Sequence, residues 1–208
     1  MPNPSLKVQE ALSRLLSGAR PSLIESVPLP DAVGRVLAED VIAKRTQPPF
    51  TASAMDGYAV RSKDIAQSGT RLALIGEVAA GYTFDGRIGP NQTVRIFTGA
   101  PLPDGADAIL IQEDATVLAD NEIAANVTVK SGNYLRPAGL DFNQGDTLLK
   151  KGQLIDAGGL CLAASGNHAT LPVYTRPRVG ILATGEELRP PGSDLDPGQI
   201  IASNSYGV

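Results

Sequence analysis

The chain is poor in residues on which much enzyme chemistry depends. Its 208 residues include one cysteine, Cys161, and one histidine, His168. Zinc sites built on these residue types and nucleophilic triads built on histidine are therefore nearly excluded. Cys161 lies in the apolar run GGLCLAASG and is predicted to be buried packing, whereas His168 lies among turn residues and is predicted to be solvated. Any chemistry must run on carboxylates, hydroxyl groups and backbone groups.

The sequence also lacks a basic excess and a long apolar run. Its net charge is -4, which argues against nucleic-acid binding because that depends on clustered Lys and Arg. No apolar run approaches the roughly 20 residues that span a bilayer. The N-terminal stretch MPNPSLKVQEALSRL has no continuous apolar core of the kind found in secretion signals. We expect a folded cytoplasmic protein that binds neither nucleic acid nor membrane.

The periodicity of the apolar residues predicts a change from helix to strand along the chain. Residues 5–18 have helical spacing and end at a glycine, which predicts an amphipathic helix. The stretch VPLPDAVGRVLAEDVIA predicts a short helix that runs into a strand. Short β-rich runs separated by turn residues follow between Tyr58 and Tyr134, and they predict a small β domain. These runs are YAV, RLALIGEV, QTVRIFT, DAILIQE and TVLADNEIAANVTVK.

The last third of the chain predicts a helix and two more strands. DAGGLCLAASG is of marginal helix length, and ATLPVYT is a strand candidate. VGILA, with Thr184 and Gly185 directly after it, predicts a buried parallel strand whose carboxyl end leads into a ligand-binding loop. One such strand cannot complete a parallel sheet, so we expect the chain to stop within a further domain.

These elements predict a mixed α and β, multidomain protein. A discontinuous α+β domain with the N-terminal helix is expected at residues 1–45 and 137–176. A small β-rich domain, residues 46–136, is inserted in it. Residues 177–208 are the truncated start of an α/β domain.

The stretch PPFTASAMDGYAVR contains the most informative acidic residue. Two prolines hold the backbone in extended or turn geometry, and Gly57 permits a sharp turn after Asp56. We therefore expect a rigid bend that presents the Asp56 carboxylate. The alternative is an ordinary turn aspartate that caps its own backbone.

Four motifs in order resemble the molybdopterin molybdenumtransferase family, which includes the C-terminal part of gephyrin. They are PPFTASAMDGYAV, RIFTGAPLPDGADAILIQED, RPAGLDFNQGD and RPRVGILATGEEL with GQIIASNSYGV. The resemblance covers nearly the whole chain and corresponds to the N-terminal portion of the family. It implies that residues 177–208 begin a molybdopterin-binding domain.

The resemblance also implies an activity. Members of the family insert molybdenum from molybdate into adenylylated molybdopterin, with Mg²⁺ and release of AMP, in molybdenum cofactor biosynthesis. They are elongated homodimers whose active site lies between the pterin-binding domain of one subunit and the small β domain of the other. Molybdopterin-adenylyltransferase and molybdenum enzymes are the further partners implied. The present chain, with only part of this machinery, is expected to be inactive alone.

The motifs assign site residues by position. Those matching functional positions of the family are Asp56, Thr98, Asp141 and Glu187. Their implied substrate-binding neighbours are Ser53, Gly99, Ala100, Thr184 and Gly185. The implied magnesium ligands are Asp56, Asp141 and Glu187. Thr46 and Thr51 depart from the family, since relatives often have acidic or amide residues there.

The residue types suit this chemistry. Molybdate oxygens must leave as water, and a carboxyl group with a raised pKa, Asp56 or Asp141, would supply the protons. Thr98 offers a hydroxyl and nearby backbone N–H groups as a cradle for an anionic oxygen. Carboxylate oxygens also suit Mg²⁺ beside a pyrophosphate. Taken singly, Asp141 is better explained as a β-turn residue, Glu187 as a first-turn helix residue and Thr98 as a strand-end hydroxyl. The four matched motifs together reverse this preference in favour of function.

Two other functions remain open at this stage. One is a dimeric scaffold or binding protein of the same fold, and the other is an inactive fragment of the enzyme. The four intact motifs favour the enzyme, because a scaffold has no need of the hydroxyl and carboxylate residues together. Asp107 and Glu113 also match family patterns, and we predict structural roles for both.

Overall fold

The computed structural model describes residues 6–118 and 121–207. Over these residues the chain is mostly β-structure with few helices. The α-helices are α1 (Val8–Ser17), α2 (Ala157–Ser165) and α3 (Asn204–Gly207). The strands are β1 (Ile24–Pro28), β2 (Val41–Ile42), β3 (Ala52–Ser53), β4 (Gly57–Val60), β5 (Thr70–Val78), β6 (Gln92–Ile96), β7 (Ala108–Ile111), β8 (Ala115–Val117), β9 (Glu122–Ala125), β10 (Leu135–Arg136), β11 (Thr147–Leu149), β12 (Thr170–Tyr174), β13 (Leu188–Arg189) and β14 (Ile200–Ile201).

The two longer helices confirm the predictions made from spacing. Helix α1 occupies the predicted amphipathic segment, and none of its side chains is buried. Helix α2 begins after Asp156, whose carboxylate accepts a hydrogen bond of 2.7 Å from the backbone N–H of Gly159. Such a cap satisfies one of the free N–H groups at a helix start. No helix in the described ranges is long and apolar enough to cross a membrane.

A six-stranded sheet dominates the middle of the chain. Its strand order is β7-β4-β6-β5-β9-β8, and only the β5/β6 pair is parallel. Alternate residues of β4 point to opposite faces, as strand geometry requires. Tyr58 and Val60 join one apolar cluster with Leu110, whereas Ala59 joins a second cluster with Ile109. The sheet is therefore covered on both faces, and β4 lies at the centre of both clusters.

A third apolar cluster lies outside this sheet. It combines residues from before and after the sheet in sequence, with helix α2 packed among short strands. Its larger members are Val27, Leu37, Val41, Leu149, Ile155, Leu171 and Val173. The β2/β11 and β3/β10 pairs are antiparallel.

The chain separates into two compact units. Residues 26–173 form one unit, and residues 1–25 and 174–208, as far as they are described, form the other. The three-domain division predicted from the sequence stays a prediction.

The expected strand at VGILA is wrong. Residues 179–183 have no regular secondary structure, and Val179 and Leu182 are 73% and 86% exposed. A parallel strand needs hydrogen-bonded neighbours, and no described strand pairs with this segment. The parallel pair in this region is β13 with β14 instead. Thr184 and Gly185 therefore do not follow a strand end.

The predicted helix in VPLPDAVGRVLAEDVIA is also shorter than expected. It is a single 3₁₀ turn at Leu29–Asp31. Pro28 and Pro30 have no backbone N–H groups, so an α-helical ladder cannot form through them. Gly34 then takes φ +74°, a left-handed conformation that ends the turn region. The predicted run TVLADNEIAANVTVK gives β8 and β9, and its residues 119–120 lie outside the described residues.

The predictions for Cys161 and His168 are corrected. Cys161 is exposed, because the buried residues of α2, Gly159 and Ala163, lie on the opposite side of the helix. His168 is half-buried rather than solvated. Its Nε2 atom lies 2.7 Å from the carbonyl oxygen of Ile42, which fixes the ring.

Asp107 has the structural role predicted for it. Its carboxylate accepts hydrogen bonds from the backbone N–H of Ser62, at 2.6 Å, and from the Ser62 hydroxyl, at 2.8 Å. Burial alone would raise the pKa of Asp107, but hydrogen bonds from Ser62 and Ser131 outweigh it and lower the pKa. The ionised carboxylate thus anchors the segment between β4 and β5. Glu113 accepts a hydrogen bond of 3.2 Å from the Gln112 side chain.

We expect Asp107→Asn to weaken the acid dependence of stability. The folded-state pKa is lowered, so the ionised Asp107 contributes stability above its ordinary pKa, and that contribution disappears as the pH falls through the folded value. At neutral pH the variant should lose about 1 kcal/mol of unfolding free energy, the order of one hydrogen bond. Between about pH 6 and pH 3 it should lose less stability than the parent. Urea unfolding followed by circular dichroism measures both effects.

The matched control is Asp85→Asn, an exposed carboxylate of the same unit. This variant should have the parent's unfolding free energy at neutral pH. Identical acid dependence in Asp107→Asn and the parent would contradict the anchoring role.

Candidate functional site

A tight turn after strand β3 leads into Asp56. The buried Ser53 hydroxyl donates a hydrogen bond of 2.6 Å to the carbonyl oxygen of Met55 and lies 3.3 Å from the Met55 backbone nitrogen. Serine hydroxyls favour turns through such contacts with nearby backbone groups. Ser53, predicted to bind substrate, is thus committed to fixing the turn that precedes Asp56.

Asp56 is held by a residue far away in sequence. Its Oδ1 atom accepts two hydrogen bonds from Thr98, one from the backbone N–H and one from the hydroxyl, each 2.8 Å long. The alternative that Asp56 merely caps its own turn is therefore wrong. The bonds join the start of β4 to the end of β6, and they bring together two of the four predicted catalytic residues.

The environment of Asp56 favours its ionised form. The backbone N–H and the hydroxyl of Thr98 lower the pKa of Asp56, and the positive charge of Arg95 acts in the same direction against the effect of burial. A raised pKa was expected for a proton donor. The correction makes Asp56 an ionised carboxylate, which is suited to accept a proton or to face a cation.

The turn after Thr98 uses its backbone N–H groups internally. Gly99 takes φ +84° and donates its N–H to the carbonyl oxygen of Ser53 at 2.9 Å. The N–H of Ala100 bonds to the carbonyl oxygen of Phe97 at 3.0 Å. With the Thr98 N–H given to Asp56, the predicted cradle for an anionic oxygen is not open here. Substrate binding by Gly99 and Ala100 stays a prediction.

Arg95 and Gln112 belong to this site and were not identified from the sequence. The Arg95 guanidinium donates to the side-chain oxygen of Gln112 at 2.6 Å and to the carbonyl oxygen of Gly57 at 3.3 Å. Gln112 in turn donates its backbone N–H to the carbonyl oxygen of Asp56 at 3.1 Å. The available signal was an arginine within the otherwise apolar run VRIF, where a strand facing two cores has little reason for a charge.

Asp141 lies in the segment of residues 134–142, which runs antiparallel to residues 47–54. The Asp56 turn follows the end of this pairing that is away from Asp141. The N–H of Ala54 bonds to the carbonyl oxygen of Tyr134, whereas the N–H of Asp141 bonds to that of Gln47. The antiparallel β3/β10 pair lies between these two bonds. Asp141 is exposed. The structure does not bring Asp141 into hydrogen-bond contact with Asp56 or Thr98 within the described residues.

Glu187, Thr184 and Gly185 belong to the other compact unit. All three are exposed. The Glu187 carboxylate lies against Gly185, where a Cβ atom would come within 2.6 Å of its oxygens. Gly185 has φ +151°, so a side chain there would also strain the backbone.

No group of three His, Cys, Asp or Glu side chains in residues 6–118 and 121–207 is arranged to hold a metal ion. Mg²⁺ needs a near-octahedral set of oxygen ligands. Glu187 belongs to a different compact unit from Asp56 and Asp141, and magnesium binding by these three residues stays a prediction.

Comparison with known proteins agrees with the motifs. Residues 6–166 match the family described as the MoeA N-terminal region, domains I and II. The chain is 37% identical over 202 residues to a molybdopterin molybdenumtransferase of Haemophilus influenzae, covering 93% of this chain and 50% of the relative. It is 35% identical over 210 residues to that of Bacillus subtilis, covering 98% and 49%. The chain spans about half the length of these curated relatives.

A solved structure has the same fold. The molybdopterin biosynthesis MoeA protein of Pyrococcus horikoshii OT3 superimposes with a TM-score of 0.87 at 32% identity, over 96% of this chain and 54% of that one. The sequence motifs, the residues matched by the family model and this superposition all agree. The chain belongs to the MoeA N-terminal region family, as the four motifs predicted.

Proposed function

We propose that this chain acts within a molybdopterin molybdenumtransferase. The complete protein transfers molybdenum from molybdate into adenylylated molybdopterin and releases AMP in molybdenum cofactor biosynthesis. The observation that carries this proposal is the ionised Asp56 carboxylate, held by Thr98 at a half-exposed turn. The names of the relatives support the reaction class. The chain alone is expected to be inactive.

The geometry of Asp56 suggests what it contributes. Oδ1 is occupied by the two hydrogen bonds from Thr98, whereas Oδ2 accepts none from any described residue. Oδ2 is thus the atom that accepts a proton or faces a cation. Because molybdate is a dianion, an ionised carboxylate repels it unless a positive group lies between them. Asp56 therefore acts on the adenylylated molybdopterin and does not bind free molybdate.

We also propose that the chain has the domain architecture of the family. It comprises the inserted β domain at 46–136, the discontinuous domain around it and the start of a molybdopterin-binding domain at 177–208. The active protein is a homodimer whose site combines Asp56 and Thr98 with the other subunit's pterin-binding domain. The apolar side chains of helix α1, such as Leu15 at 76% exposure, support burial by a further chain. Mg²⁺ dependence, molybdopterin-adenylyltransferase and molybdenum enzymes remain predictions from the family.

An assay of the complete protein tests the proposal. Purified protein is incubated with adenylylated molybdopterin, molybdate and Mg²⁺, and both AMP release and molybdenum cofactor are measured. We expect both products in equal amounts, and no cofactor in a control without molybdate. A folded, complete protein that releases no AMP would contradict the enzyme and favour the scaffold alternative.

A further inference from the structure

Arg95 occupies a central position beside the Asp56 turn. It lies on β6 directly opposite Tyr58 of β4, and Glu77 of β5 is its neighbour on the other side. Its guanidinium carbon lies 5.0 Å from the ring centroid of Tyr58 and 5.1 Å from that of Phe97. Contacts of this kind are attractive because the aromatic face is electron-rich. Two rings therefore hold the guanidinium in one place.

The guanidinium connects the start of β4, directly after Asp56, to Gln112 at the end of the neighbouring strand β7. One N–H group bonds to the carbonyl of Gly57, the residue directly after Asp56, and another bonds to the Gln112 side chain. The Gln112 backbone N–H holds the carbonyl oxygen of Asp56 itself. The planar fork of arginine supplies two such bonds at fixed angles, which the single ammonium of lysine does not.

We propose that Arg95 is a positioning residue, which clamps Gly57 and Gln112 so that the Asp56 carboxylate stays on Thr98 during molybdenum transfer. This role rests on the proposed function of Asp56. Arg95 makes no hydrogen bond to the carboxylate, so its effect passes through the carbonyl of Gly57 and through Gln112, which holds the Asp56 carbonyl. The positive charge of Arg95 also favours the ionised form of Asp56.

Hydrogen exchange in this chain measures the clamp without any assay of activity. The amide of Thr98 exchanges when its bond to Asp56 opens, and the amide of Gln112 exchanges when its bond to the Asp56 carbonyl opens. We expect Arg95→Met to speed the exchange of both amides about tenfold or more. Arg95→Lys should fall between Arg95→Met and the parent.

Two controls separate local from global effects. The amide of Gly69, bonded to Ala125 at 2.7 Å in the same sheet, should keep its exchange rate in Arg95→Met. Arg71→Met is the matched arginine variant, because Arg71 is in the same sheet and its side chain makes an exposed ion pair with Glu122, away from Asp56 and Gln112 in sequence register. It should leave the Thr98 amide unchanged. Parental exchange at Thr98 and Gln112 in Arg95→Met would overturn the clamp.

Kinetics of the complete protein test whether the clamp serves catalysis. Arg95→Met should lower kcat about tenfold with little change in KM, and Arg95→Lys should recover part of the loss. A positioning residue acts through its partner, so the double variant Asp56→Asn, Arg95→Met should be as slow as Asp56→Asn alone. If the rate losses of the two single variants multiply in the double variant, the positioning role of Arg95 is wrong. Parental activity of Asp56→Asn would instead contradict the proposed function and this role with it.

Discussion

Asp56→Asn in the complete protein is expected to slow molybdenum insertion about 100-fold or more, the usual size of a lost acid-base group. Asparagine has nearly the same shape, and its side-chain oxygen still accepts both hydrogen bonds from Thr98. The fold of the turn should therefore persist. What disappears is the negative charge on Oδ2, which is the part of the group that the contacts leave available. Initial rates of AMP release and cofactor formation measure the effect.

The control for this variant is Asp85→Asn, which removes an exposed carboxylate of the same unit. It should insert molybdenum at the parental rate. Unfolding curves for Asp56→Asn should stay close to the parent's, because both hydrogen bonds from Thr98 remain and the lost charge is on a solvent-accessible group. An unchanged rate of insertion in a folded Asp56→Asn protein would remove Asp56 from the site.

Gly57→Ala is expected to lower the free energy of unfolding by about 3 kcal/mol, the upper range for overpacking a tight core. Gly57 pairs with Ile111 across β4 and β7, and a Cβ atom there would overlap the carbonyl oxygen of Leu110 and lie 2.9 Å from the Cα atom of Ile111. Both obstacles are backbone atoms of β7, the edge strand that pairs with β4. They cannot move aside as a flexible side chain would, so the strands must separate. Urea unfolding followed by circular dichroism measures the loss.

Gly158→Ala is the matched control, with an opposite expected sign. Gly158 lies near the start of α2 in the same compact unit, is exposed, and a Cβ atom there would meet only Asp156 Oδ1 at 3.5 Å. Alanine is the better helix former, so the variant should gain up to about 1 kcal/mol. Parental stability of Gly57→Ala in the same experiment would show that the β4/β7 contact is looser than described.

The sequence predicted the elements that depend on local pattern. The strands β6 and β7 lie within the apolar runs that indicated them, β4 and β5 begin one residue before theirs, and α1 and α2 lie within their predicted segments. Alternation and helical spacing determine which face of an element is apolar, and this is enough to place it. The strand predicted at VGILA was wrong because an apolar run does not reveal whether neighbouring strands are present to form hydrogen bonds with it. The predicted burial of Cys161 was wrong because burial depends on which side of α2 packs against the apolar cluster.

The site was predictable only in part. Motifs indicated Asp56 and Thr98, and the structure joins them by two hydrogen bonds. Arg95 was missed because its role depends on the pairing of β4 with β6, which places it opposite Tyr58. The direction of the pKa of Asp56 was also missed, since it follows from donors 42 residues away. Cross-strand register of this kind is not encoded in any local stretch.

The exposed thiol of Cys161 offers a direct test of the proposed homodimer. Because it is the single cysteine of the 208 residues and lies on the outer side of α2, a nitroxide reagent would modify this chain at one defined point. Two labelled copies in a dimer would then give one dipolar distance by pulsed electron paramagnetic resonance. That distance would fix the separation of the two α2 helices in solution.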